Sequence, residues 1–398
     1  MWRDSRKIER VCGRVFLFVF LSALPLVWIH ILVHGKTIRF LNVENRNTTV
    51  LPELNASSFL DGSFQKKLEE ALSDQMPLSE TIRLKNLTFK RNVFNKLSWI
   101  SNRSLSGYHL IGDNAYTYKD HSRVVINNRK LVYSNLERNA GKIQNDADYY
   151  ADLPIRNKYQ YIVMTDAVID FDQPNDDYVE QVAAFYPEFK QSFLRVPDYE
   201  TYARYFLKSD HHWNYLGAYQ GYKDIIQLMF GGNESVKVPA EEIAFKYNTV
   251  GSRSRMAYPM TVDDPFISYR FEYKDHDVYL GNVRAEYGKQ SYYNDKNMRE
   301  AGGEISYSEY YGFDEEIILY DFKQPKKENL IIVGYSDTNA INELVASHFN
   351  KTWIFDTRFT PRSLFEKIIS ENDIQNLLLI PNAGNLIPAM PETPGGYE

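Results

Sequence analysis

Asn329-Leu330-Ile331-Ile332-Val333-Gly334-Tyr335-Ser336 is an apolar run that stops on Gly-x-Ser, and the stretch following it decides the fold. Periodicity places a strand over 329–335, a helix over 340–349, a strand over 352–356, a helix over 361–370 and a strand over 376–380. This βαβαβ order implies parallel strands joined by right-handed crossovers. The expected class is therefore α/β. Ser336 falls at the carboxyl end of one parallel strand, just before a helix, where open α/β sheets hold their sites.

A serine there gains from the backbone around it. The turn can aim its hydroxyl out of the sheet, and the next helix offers free N–H groups to an oxyanion. Gly334 allows a tight turn, and Asn339 is a candidate second donor to the oxyanion. Gly334-Tyr335-Ser336-Asp337-Thr338 lacks the second glycine of a Gly-x-Ser-x-Gly elbow, which disfavours an ordinary α/β-hydrolase. Local sequence also leaves Ser336 open to a plain helix-capping role.

Upstream, Asp210-His211-His212-Trp213 sets a carboxylate two residues from an imidazole. In an extended segment, side chains two apart point the same way. Asp210 and His212 then form the orienting half of a Ser-His-Asp device, while His211 alternates to the other side and reads as structural. A purely structural Asp–His pair and a metal site built from Asp210, His211, His212 and His348 remain as alternatives. Trp213 and Tyr335 flank these groups and are the candidate substrate contacts. No cofactor is expected.

Residues 15–33 are apolar and uncharged, long enough to span a bilayer as a helix. Arg3, Arg6, Lys7, Arg10 and Arg14 precede them against only Asp4 and Glu9, which keeps the N-terminus cytoplasmic. The expected organisation is a cytoplasmic tail over 1–14, a retained signal-anchor over 15–33, a stalk over 34–60 and an extracytoplasmic domain over 61–398. Within that domain, 236–325 reads as a β-rich insertion or cap. The one cysteine, Cys12, lies on the cytoplasmic flank, so the exported part has no thiol for a disulfide. That composition suits a bacterial cell surface. Net charge is −6, and the tail is basic, so the remainder is more acidic still and poorly matched to nucleic acid.

Helical stripes are expected from Phe64 to Asp74, from Ser79 to Leu97 and from Asn214 to Phe230, and Tyr159–Ile169 reads as a buried strand. Glu44-Asn45-Arg46 with Pro52, Asp61-Gly62, Asp74-Gln75, the strand Tyr161–Ile169, the run Tyr205–Trp213 with Gly217-Ala218, Tyr310–Asp314, Gly334-Tyr335-Ser336 with Asn339-Ala340, and Asp356-Thr357-Arg358 together resemble the DHHW protein family of bacterial surface proteins. That family is similar to the SGNH-hydrolase-like domains of alginate O-acetylation proteins. The resemblance implies Asp210 as orienting acid, His212 as general base and Ser336 as nucleophile. It implies a flavodoxin-like three-layer α/β/α core with the triad permuted to Asp…His…Ser. It further implies O-acetyl transfer to, or removal from, extracellular polysaccharide, with a membrane-bound O-acyltransferase partner as acyl donor. Two positions depart from the pattern: Tyr335 before the serine, and Met164-Thr165-Asp166 where a proline is usual. A catalytically silent glycan-binding or assembly scaffold is the alternative reading.

Overall fold

The computed structural model describes residues 35–41, 46–101, 108–110, 115–118, 123–126, 129–169, 176–257, 262–285 and 296–393, with scattered positions from 22 to 33. The chain divides into two compact units, Met1–Leu97 and Ser98–Glu398.

In the first unit, a two-residue hairpin pairs Phe40–Leu41 with Arg46–Asn47, and helices follow over Ala56–Leu60, Ser63–Gln75 and Ser79–Ser101, close to the expected bounds. Asp74 and Gln75 do structural duty here. Asp74 Oδ2 accepts the Thr49 amide at 2.8 Å and its Oδ1 accepts Arg83 at 2.6 Å, while the Gln75 amide reaches the carbonyls of Thr37 and Thr49. The side chains at the buried helix end thereby satisfy backbone groups of the extended chain beside it. The membrane span expected at 15–33 lies mostly outside the described residues, and among those described no helix is long and apolar enough to cross a membrane.

The second unit is built on a sheet of eight strands: β1 Asn157–Ile162, β2 Lys190–Phe193, β3 Asp277–Leu280, β4 Val283–Ala285, β5 Ile317–Asp321, β6 Leu330–Gly334, β7 Lys351–Phe355 and β8 Asn376–Ile380. Their order across the sheet is β4-β3-β5-β7-β6-β8-β1-β2. From β7 to β2 every pairing is parallel; β5, β3 and β4 continue the sheet antiparallel. The central β6 and β8 are buried along their whole length, which is why both read as unbroken apolar runs rather than alternating ones.

Helix α1 (Tyr215–Phe230) packs on β1 and β2 and touches the short helix α2 (Asn342–Ala346), whereas Phe365 of α3 (Arg362–Glu371) stacks edge-on to Phe355 of β7 and to Tyr150. After β6 the chain steps sideways to β7, then jumps back past β6 to β8. Two right-handed crossovers running in opposite directions place α2 and α3 on opposite faces. The result is a mixed α/β fold with its core on both sides of a large sheet.

Three local readings differ from expectation. The strand expected over Tyr159–Ile169 ends at Ile162, with only a bridge at Val163, because the chain turns over residues 166–168 to leave the sheet. The helix expected over 340–349 splits into a 3-10 turn, Ser336–Ala340, and α2, with Ile341 between them out of helical conformation. From the segment 236–325, β3, β4 and β5 extend the large sheet, while strands Glu241–Thr249, Pro265–Arg270 and Gly303–Ile305 make a separate three-stranded sheet.

Candidate active site

Strand β6 delivers Ser336 to the carboxyl edge of the sheet. A methyl at Gly334 would stand 2.3 Å from Thr338 Cγ2, so only glycine lets the 3-10 turn fold back this closely over the strand end. Thr338 N donates to Tyr335 O at 2.9 Å, which leaves the first amides of the turn, Ser336 and Asp337, as the N–H groups open to an oxyanion.

The Asp-His-His-Trp segment is a tight loop rather than a strand. Phe206 and Trp213 pair across its neck, and residues 208–212 are bends. Its position over the serine is held by Trp213, whose indole Nε1 donates to Asp337 O at 2.9 Å. Trp213 is fully buried, so it cannot offer a face to a sugar. It is a packing residue that couples the histidine loop to the serine turn, not a substrate contact. Tyr335 is partly buried; the Arg358 guanidinium lies 5.2 Å over its ring and its hydroxyl donates to Leu386 O at 3.3 Å.

Ser336 Oγ lies 2.8 Å from His212 Nε2, and His212 Nδ1 lies 3.2 Å from Asp210 Oδ2, in ion-pair reach though off the line of a hydrogen bond. The three expected groups thus stand in one row. His212 and Asp210 are buried, and Ser336 remains partly open. Burial alone would lower the His212 pKa, but the Asp210 carboxylate beside it, helped by Asp337 and Asp314, raises it above the ordinary histidine value. Burial alone would raise Asp210; the charges of His212 and His211, with the hydrogen bonding from His211, outweigh it and hold the carboxyl well below the usual range. Both shifts describe one coupled ion pair.

Several neighbours carry no local sequence signal. Tyr307 stacks flat on His212, 3.9 Å between centroids at 2°, and its hydroxyl donates to Asp337 O at 3.1 Å. An aromatic face over an imidazolium favours the charged form by on the order of 1 kcal/mol. Ser252 fixes the far oxygen of the acid: its Oγ donates to Asp210 Oδ1 at 2.8 Å, its amide stands at 3.3 Å, and the His211 amide at 2.7 Å. The next residue, Arg253, forms a buried bidentate pair with Asp166 at 2.9 and 2.5 Å. That pair anchors helix 252–257 under the acid, and explains how a charged residue sits where a proline was expected.

His211 is not on the opposite side. Because the segment bends, the alternation of an extended strand does not apply, and its Nδ1 lies 2.8 Å from both Ser252 Oγ and Asp210 Oδ1. Asn339 spends both amide hydrogens elsewhere, on Gly312 O and Asp314 Oδ1, each at 3.0 Å. His348 is remote from the row, bonded to Tyr222 and Glu234. Asp210, His211 and His212 lie close enough to hold a cation between them. Asp210 Oδ1, however, already accepts from N–H and O–H donors, which a metal would have to displace.

No family model and no curated protein matches the chain. Solved structures do. Bacillus cereus PatB1 with a sulfonyl adduct aligns over 72% of this chain and 98% of its own at 16% identity, with a TM-score of 0.51. A DHHW family protein from Eubacterium siraeum aligns over 61% of this chain and 84% of its own, at 16% identity and a TM-score of 0.43. The O-acetyltransferase domain of Pseudomonas putida AlgJ aligns over 70% and 91%, at 8% identity and a TM-score of 0.37. The PatB1 likeness bears on the fold, which it shares through most of the chain.

Proposed function

We propose that this protein is a membrane-anchored extracytoplasmic serine enzyme that moves acetyl groups onto or off cell-surface polysaccharide. The observation that carries the reading is the row Ser336–His212–Asp210 at the end of a parallel strand. Ser336 Oγ attacks the acyl carbonyl carbon while His212 Nε2 takes its proton. The leaving oxygen receives that proton as its bond to carbon breaks, and the acyl group stays on Ser336. An incoming hydroxyl then adds to the ester carbon and gives its proton to His212. Ser336 Oγ departs and recovers it. The amides of Ser336 and Asp337 are the oxyanion donors in this scheme, in place of Asn339. A membrane-bound acyltransferase partner would supply the donor outside the cytoplasm, next to the anchor proposed for 15–33.

A silent glycan-binding scaffold is the second reading, favoured by one observation: the Asn339 amide is fully engaged away from the serine. Release of p-nitrophenol from an acetyl ester, with Ser336→Ala and His212→Ala alongside, separates the two. Turnover lost in both variants and covalent labelling by a sulfonyl fluoride, also lost in Ser336→Ala, supports the enzyme. A wild type that neither turns over nor labels favours the scaffold, and turnover abolished by a chelator would return the metal reading.

A further inference from the structure

The carboxylate of Asp210 orients two imidazoles, not one. Asp210 is held ionised and so only accepts. Ser252 Oγ must therefore donate its single hydrogen to Asp210 Oδ1, and can only accept from His211 Nδ1, 2.8 Å away. The His211 proton is thereby on Nδ1, and in the neutral ring Nε2 is a bare acceptor. Among the described residues no protein donor meets it, and the side chain is 34% exposed. The two rings lie 4.0 Å apart, tilted by 35°, with both Nδ1 atoms against the same carboxylate. Nε2 is separated from Nδ1 by one ring carbon, and with Nδ1 held at the acid neither Nε2 faces it. His212 Nε2 ends at Ser336 Oγ. The His211 ring stacks beside that of His212.

We infer that His211 is an acceptor-binding residue that reads a vicinal diol: one sugar hydroxyl gives its proton to His212 as it attacks the acyl-serine, and the adjacent hydroxyl donates to His211 Nε2. Water and a monohydric alcohol carry no second hydroxyl at that spacing. The paired histidines therefore bias the acyl-enzyme toward a sugar over water. This rests on the acyl-serine mechanism above and adds the acceptor to it. The bonds made and broken are unchanged: the attacking oxygen joins the ester carbon, the carbon–Oγ bond breaks, and the proton returns to Ser336 through His212.

The test uses the full chain in detergent, p-nitrophenyl acetate as donor, and methyl glucoside against cyclohexanol as acceptors, with acetylated products quantified. The wild type should prefer the diol by about five- to tenfold, the worth of one hydrogen bond. Asparagine places its amide where Nδ1 stands, and glutamine where Nε2 stands. His211→Asn should thus lose the diol preference, read as the ratio of acetylated glucoside to acetylated cyclohexanol, while His211→Gln should keep that ratio. An unchanged preference in His211→Asn, or no preference in an active wild type, would overturn the acceptor role. A wild type without Ser336-dependent release would bring down the mechanism itself, and the inference with it.

Discussion

At the scale of single residues, the site turns on the protonation of His212. The residue must be neutral to take the Ser336 proton, and Asp210 raises its pKa. Activity should therefore climb with pH through a limb lying above the ordinary histidine value of about 6.5. Asp210→Asn removes the charge that raises it, so the limb of kcat/KM should move to lower pH. The same change should cut kcat by on the order of 10³–10⁴, since the ring loses its orienting acid. A limb that stays in place would mean that Asp210 does not act on His212. Tyr307 contributes a ring rather than a hydroxyl, because Trp213 also donates to Asp337 O. Tyr307→Phe should stay within about threefold of wild-type kcat, and Tyr307→Ala should fall by about tenfold, near the upper end of a stacked-cation contribution.

At the scale of elements, the acid depends on a helix from a distant part of the chain. In p-nitrophenol release Ser252 acts through Asp210, so Ser252→Ala should lower kcat for the acetyl ester with little change in its KM, and should be silent in an Asp210→Asn background. Equal losses in both backgrounds would make Ser252 merely structural. A methyl at Gly251 would sit 2.3 Å from Asp210 Cγ, so the helix seats against the acid only with glycine there. Its anchor is the buried Arg253–Asp166 pair. Arg253→Ala leaves the buried Asp166 carboxylate without its counter-ion, with only the Ile126 amide among the described residues still donating to it, and urea unfolding should show a loss of about 3–5 kcal/mol. None of these contacts was legible in the sequence. Ser252, Arg253 and Tyr307 lie in the 236–325 stretch, where short strands and scattered tyrosines carry no spacing that names a partner. The Asp-x-His motif was legible, but the alternation used to interpret it was not the operating geometry. The loop bends, and both histidines reach the same acid.

At the scale of the whole molecule, the proposed membrane topology rests on the basic tail and the apolar stretch behind it. If the proposed orientation holds, Cys12 in intact cells should react with a membrane-impermeant maleimide only after permeabilisation; labelling without it would place the tail outside. The chain by itself determined the parallel βαβαβ core, because fully buried strands must be continuously apolar and their crossovers admit one hand. It also determined which serine, histidine and acid were available, because few histidines lie beyond the anchor region. Only the tertiary structure decided the rest. It sends Trp213 inward, turns Asn339 away from the serine, brings Ser252 and His211 onto one carboxylate and lays Tyr307 on the His212 ring. The physical reason is that burial of a strand is written in its own residues, whereas a hydrogen bond or a ring stack spanning dozens of residues exists only once the chain has closed on itself.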